Sequence, residues 1–178
     1  PLAGYDIPPY GAARSVAIAI NDKTRPVPHD LMLPPLLARL AALGYPREAV
    51  TLLIATGTHI PMPPETHGEV VPPEILDRYA VESHDCDAET LIDLGTTERG
   101  TPIRVNRRFA EADLRIVVGN VEPHHFAGFS GGVKTAAIGL AGRETATANH
   151  ALLRHPAAAL AHFADNPVKP VAAAPVST

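Results

Sequence analysis

Three short aliphatic runs constrain this chain more than any other feature: SVAIAI (15–20), AVTLLIATG (49–57) and DLRIVVGN (113–120). Each is rich in β-branched residues and short enough for a strand. AVTLLIATG is continuously apolar rather than apolar at alternate positions, as parallel strands covered on both faces are. Helical patterns lie between and after them. DLMLPPLLARLAALG (30–44) carries leucines at helical spacing, with a start expected near Pro34 and Pro35 and a stop at Gly44. EILDRYA (74–80), RRFAEAD (107–113), VKTAAIGLAG (133–142) and RETATANHALLRH (143–155) read as further helical segments, and AVESHD (80–85), TLIDLG (90–95) and TPIRVN (101–106) as further strands. The alternation predicts an α/β domain with an open, mainly parallel, Rossmann-like sheet flanked by helices.

Composition narrows the classes. Aromatic residues make up 4% of the chain and Trp is absent, so the core is built from Ala, Val, Ile and Leu. A formal net charge of -4 gives no basic footprint for nucleic acid. No apolar run approaches the roughly 20 residues that span a bilayer. Cys86 is the single cysteine, which rules out an intrachain disulfide and a thiolate metal cluster. Without an initiator Met or a signal-peptide pattern, a cytoplasmic protein is expected. Residues 1–166 are expected to form one domain, and PVKPVAAAPVST (167–178) has the Pro/Ala/Ser bias of a linker or tail.

The three strands share a further property. They end near Ile20, Thr56 and Gly119, and each runs at once into a polar loop: NDKTRP (21–26), GTHIP (57–61) and NVEPHHFAGFSGG (120–132). Ligands of parallel α/β sheets gather at the carboxyl ends of the strands, so the three loops predict one site. GFSGGVKT (128–135) approaches the phosphate loop G-x-x-x-x-G-K-[ST], but Val133 stands where its last glycine belongs, which weakens a nucleotide-hydrolase reading. Its glycines still let backbone N–H groups approach an anion. Lys134, at a helix opening, is either a solvated cation or an amine whose basicity is lowered for nucleophilic chemistry. His59, His124 and His125 lie in the strand-end loops and His150 on the last helix; imidazole suits both proton transfer and metal ligation. No H-x-H or H-x-x-x-H spacing marks a zinc site. His29, His67, His84, His155 and His162 read as solvated or capping residues. Asp22 and Arg25 fit ribose and carboxylate recognition, or an Asx-turn beside a solvated guanidinium.

Taken together, DKTRPVP (22–28), ATGTH (55–59), GNVEPHHFAGFSGG (119–132) with Lys134, and ETATANH (144–150) resemble the lactate racemase family. The matching words run in order from about residue 14 to residue 155. The resemblance implies racemisation or epimerisation of a small 2-hydroxy acid by hydride abstraction and return through a nickel-pincer nucleotide (nickel pyridinium-3,5-bisthiocarboxylate mononucleotide). It implies His59 and His124 as the acid/base pair, Lys134 as the site of covalent cofactor attachment and His150 as the protein's nickel ligand. Asp22, Lys23, Thr24 and Arg25 would hold the nucleotide, with Arg25 also facing the substrate carboxylate, and Ser130, Gly131 and Gly132 would lie close to its phosphate. It further implies that the chain is the N-terminal domain of a two-domain enzyme whose C-terminal domain, absent here, closes over the site. The competing expectations are a cofactor-holding module without turnover and the phosphate-loop hydrolase.

Overall fold

The computed structural model describes residues 7–97 and 99–168. In chain order its main elements are β1 (Val16–Asn21), α1 (His29–Ala42), β2 (Val50–Ala55), α2 (Pro73–Leu76), β3 (Ala80–Ser83), β4 (Ile92–Thr96) and β5 (Pro102–Val105). There follow α3 (Arg107–Glu111), β6 (Leu114–Val118), β7 (Pro123–His124), β8 (Gly128–Phe129), α4 (Gly132–Ala137) and α5 (Arg143–Ala151).

The three aliphatic runs are the heart of a four-stranded parallel sheet in the order β3-β2-β1-β6. Register pairs Ile18 with Leu52 on one side and with Ile116 on the other. Within β1, bulky and small residues alternate. Val16, Ile18 and Ile20 join Leu33, Leu37 and Leu40 of α1 on one face, while Ala17 and Ala19 meet Leu53, Ala112 and Leu140 on the other. The alanines let α3 and α4 approach closely, so one run covers both faces with different side-chain volumes. Each buried Leu or Ile here contributes about 1.5–3 kcal/mol relative to exposure. The chain steps outward from β1 to β2 and β3, then returns to the far side of β1 with β6. That reversal opens a crevice between the carboxyl ends of β1 and β6.

Three local expectations are corrected. α1 starts at His29, ahead of Pro34 and Pro35, which lie inside it. Each proline removes one intrahelical donor, an interior cost of about 3 kcal/mol. Burial of Leu33, Leu37 and Leu40 offsets it. TLIDLG and TPIRVN form a separate antiparallel pair, β4–β5, because β4 is too exposed on both faces to enter a doubly covered sheet. His29, His67 and His84 are buried, not solvated. Their ring nitrogens meet the backbone carbonyls of Val70, Met62 and Ala141 at 2.8, 3.0 and 2.9 Å. His155 and His162 are exposed.

The segment after α5 packs back on the domain: Val168 is buried and its carbonyl accepts from Asn149 Nδ2. Most of the expected tail, from residue 169 onward, lies outside the described residues. Among the described residues no helix is long and apolar enough to cross a membrane.

Burial pushes the imidazoles of His29 and His84 below the usual histidine range. Such a histidine stays neutral in the fold but gains a proton in the unfolded chain below about pH 6.5. The unfolded state then binds more protons, so stability falls as pH drops from 6.5 toward the folded pKa and is flat above it. Thermal midpoints should fall progressively below pH 6.5, and His84→Gln should flatten that slope.

Candidate active site

The three polar loops converge at the crevice. A cleft of about 360 Å³ is lined by Asp22, Thr24 and Arg25 after β1, Thr56 to His59 after β2, and Asn120, His124, Phe126, Ser130, Gly131 and Lys134 after β6. His150 of α5 completes the wall. Of the residues singled out from sequence, Lys23 and Gly132 do not line it. The Lys23 ammonium pairs with Glu69 at 3.1 Å, and Gly132 opens α4 behind Gly131.

His59 is backed by a buried carboxylate. Its Nδ1–H donates to Asp22 Oδ2 at 2.8 Å, with the imidazole 58% and the carboxylate 6% exposed. The other carboxylate oxygen accepts from the Thr24 hydroxyl at 2.6 Å and the Thr24 N–H at 3.1 Å. Asp22 therefore fixes the tautomer of His59 and leaves its Nε2 lone pair available, the logic of a His–Asp dyad. Asp22 and Thr24 spend their polar atoms on this dyad. Arg25 sits at the rim, 4.0 Å from Glu122, with about half of its side chain exposed.

His124 is buried, and its Nε2 lies 2.7 Å from Lys134 Nζ. Its Nδ1 accepts from the Ala127 N–H at 3.3 Å, which puts the proton of a neutral ring on Nε2. Desolvation, followed by the nearby Lys134 and Arg25 cations, lowers the His124 pKa to about 4. Desolvation and Arg25 lower Lys134 to about 8. Both shifts favour the neutral forms, and when both groups are neutral the imidazole Nε2–H donates to the amine lone pair. In the GFSGGVKT stretch, Gly128 and Phe129 form β8, antiparallel to β7, rather than ending a buried parallel strand. Ser130 knits the same hairpin: its N–H donates to the Glu122 carbonyl at 2.8 Å, and its hydroxyl accepts from Glu122 N–H at 3.0 Å.

His150 Nδ1–H donates to the Ala146 carbonyl at 2.6 Å. The lone pair is thereby left on Nε2, the arrangement commonly seen at metal-ligating histidines. Phe126 stands between the two deep histidines, its ring edge-on to His124 at 4.7 Å and to His150 at 5.3 Å.

Sequence reasoning missed the residues that hold this geometry. Asn21, at the end of β1, donates to Arg25 O at 3.1 Å and Asn120 Oδ1 at 3.2 Å and accepts from the Thr135 hydroxyl at 2.8 Å. One buried amide thus joins two loops and the helix that carries Lys134. The signal was present, since a polar residue closing an apolar strand needs partners. Asn166 is equally buried and donates to Phe126 O at 2.8 Å, from forty positions away. Nothing local in the sequence marks that contact.

Gly128 carries the same packing. Its φ is +76°, and a Cβ there would stand 2.0 Å from the His162 carbonyl oxygen. Gly128→Ala should therefore cost more than about 1 kcal/mol and lower the melting temperature by at least 2–4 °C. Calorimetry checks this.

A family profile described as the lactate racemase N-terminal domain matches residues 10–161. Among curated proteins, the lactate racemase of Lactiplantibacillus plantarum is 37% identical over 76% of this chain and 32% of its own length. The lactate racemase of Thermoanaerobacterium thermosaccharolyticum is 32% identical over 87% of this chain and 37% of its own. The solved apoprotein structure of the lactate racemase from Thermoanaerobacterium thermosaccharolyticum superposes with a TM-score of 0.82 at 32% identity, covering 88% of this chain and 38% of that one. A crystal structure of a Thermotoga maritima protein superposes at 0.64 with 25% identity, over 88% and 41% of the two chains. The chain thus spans about a third of the length of the curated relatives it matches. With the ordered motifs, the parallel sheet and this profile all in agreement, the chain belongs to the lactate racemase family, over that family's N-terminal domain.

Proposed function

We propose that this chain is the cofactor-holding, catalytic part of a racemase or epimerase acting on a small, lactate-like 2-hydroxy acid. The observation that carries the reading is the histidine pair. His59, backed by Asp22, and His124, beside Lys134, enter one cleft from different loops. Interconverting two enantiomers through a planar 2-oxo acid calls for a proton acceptor on one face and a proton donor on the other. Two separately mounted imidazoles, one with a free Nε2 lone pair and one with a proton on Nε2, suit those roles. Arg25, at the rim, pairs with the substrate carboxylate.

The residues also fit a nickel-pincer nucleotide. His150, with its lone pair fixed on Nε2, suits a nickel ligand. Lys134, with its depressed pKa, suits covalent attachment through Nζ. Cys86 does not line the cleft, so sulfur ligands would belong to the bound group itself. When bound, that group supplies the hydride acceptor and donor for C2. The chain's own residues move the proton: His59 or His124 takes it from the hydroxyl of the enantiomer it faces, and the other returns one to the opposite hand. Covalent use of Nζ also removes the cation that helps hold His124 near a pKa of 4, bringing that imidazole closer to a useful base. Closure of the cleft we assign to a C-terminal domain, in the part of the relatives that this chain does not span.

Co-expression with enzymes that make the cofactor, followed by nickel and sulfur analysis, tests the binding half of the reading. One nickel and a covalent adduct per chain are expected. A metal-free, unmodified chain under conditions that load a known lactate racemase contradicts it.

A further inference from the structure

We propose that in the cofactor-free protein Lys134 Nζ condenses with the carbonyl carbon of a 2-oxo acid, so that the cleft is an imine-forming site as well as a cofactor site. The inference rests on the Lys134–His124–Arg25 arrangement alone and not on the racemase reading.

Three observations converge on it. First, Lys134 Nζ lies in a cleft wall that water and small solutes reach, and its partner is an imidazole at 2.7 Å rather than a carboxylate. A lysine ion-paired to an acid is held as a cation, whereas this one faces a ring whose Nδ1 already accepts from Ala127, so its Nε2 presents a proton to the amine. When Lys134 is unprotonated this contact leaves its nitrogen lone pair on the cleft side of the ring. A pKa lowered to about 8 by desolvation and Arg25 makes that form substantial at mildly alkaline pH, where trapping is run. Second, the same imidazole is placed to relay the protons. Attack of Nζ on the carbonyl carbon forms the C–N bond and an alkoxide. His124 Nε2–H protonates that oxygen and recovers a proton from the new ammonium. A second protonation releases the hydroxyl as water and leaves a protonated imine. One amine, one ketone and one proton give one iminium ion and one water, with no oxidant or reductant. Third, Arg25 adds a guanidinium to the same cleft, 4.0 Å from Glu122 and so not closely held by it. That charge selects a carbonyl compound carrying a carboxylate over a neutral aldehyde or ketone.

The consequence is competition: a 2-oxo acid on Nζ blocks the amine to any other covalent partner until water reverses the imine.

Pyruvate with sodium borohydride, nickel and nucleotide being absent, tests this on the protein as it stands. The chain contains three lysines, Lys23, Lys134 and Lys169, so the other two serve as internal controls. The expected result is a mass gain of one reduced oxo acid per chain, dependent on borohydride and mapped by peptide sequencing to Lys134. His124→Ala should slow trapping at least 10-fold. Arg25→Ala should weaken trapping of pyruvate at least 10-fold more than trapping of propanal, because only pyruvate carries the carboxylate that the guanidinium pairs with. Label spread evenly over Lys23, Lys134 and Lys169, or absent from Lys134 in the unsubstituted protein, overturns the proposal. Peptide mapping of the unsubstituted chain needs no variant to fold. Because nickel and nucleotide are absent throughout, failure here leaves the racemase reading standing, and failure of nickel loading leaves this one standing.

Discussion

Lys134→Ala is expected to yield a folded protein that carries no covalent cofactor. The attachment is lost completely, since among the lining residues only Lys134 offers a primary amine. The fold survives for a physical reason. Lys134 is the third residue of a six-residue helix, and its amine is held below its ordinary pKa by burial and by Arg25. A depressed lysine pKa means that the fold disfavours the ammonium, so removing it relieves a cost while giving up some stem packing. The net change should stay within about 1 kcal/mol, or 2–4 °C in melting temperature. Intact-protein mass spectrometry after cofactor loading reads the adduct, and circular dichroism reads the fold. An undiminished adduct on the alanine variant refutes the assignment of Lys134. Loss of fold together with the adduct refutes the claim that the amine is a chemical rather than a structural group.

The second large effect concerns the histidine pair. In the enzyme extended to the length of the lactate racemases, His59→Ala and His124→Ala should each depress racemisation in both directions by 10²- to 10⁴-fold, because the full reaction uses one base and one acid. That is about 3–5 kcal/mol of transition-state stabilisation. The half reactions separate the two. Each single variant should still oxidise, in one turnover, the enantiomer whose own base remains, so the variants should show opposite preferences when D and L substrate are mixed separately. The same preference in both variants contradicts the two-base account. Asp22→Asn should resemble a weaker His59→Ala, since it removes the acceptor that fixes the His59 tautomer while keeping the side-chain shape.

How much of this was legible in the chain depended on how local the signal was. The parallel strands announced themselves because a strand covered on both faces has no polar position, and SVAIAI, VTLLIA and LRIVV have almost none. The convergence of loops 21–28, 57–61 and 120–132 followed from strand direction alone. α1 was misplaced because Pro34 and Pro35 are strong local breakers, and only burial against the sheet, invisible in sequence, outweighs them. The buried histidines read as solvated or capping residues because a lone His carries no local mark of burial; their acceptors lie 41, 5 and 57 residues away. Asn166 was unreadable for the same reason, as its role is a contact with Phe126 across the β7–β8 turn. The dyad of Asp22 with His59 joins residues 37 apart, and only the adjacency of β1 and β2 brings them together.

The central claim is that this cleft interconverts the two hands of a lactate-like acid. Its most direct test is chiral chromatography of D-lactate and, separately, L-lactate incubated with the cofactor-loaded, full-length enzyme. Both should approach the same equal mixture of enantiomers with no net consumption, and His124→Ala should slow the approach from both sides. Unchanged optical purity from an enzyme that binds one nickel per chain would contradict the account for lactate, and the same result across other 2-hydroxy acids would contradict it altogether.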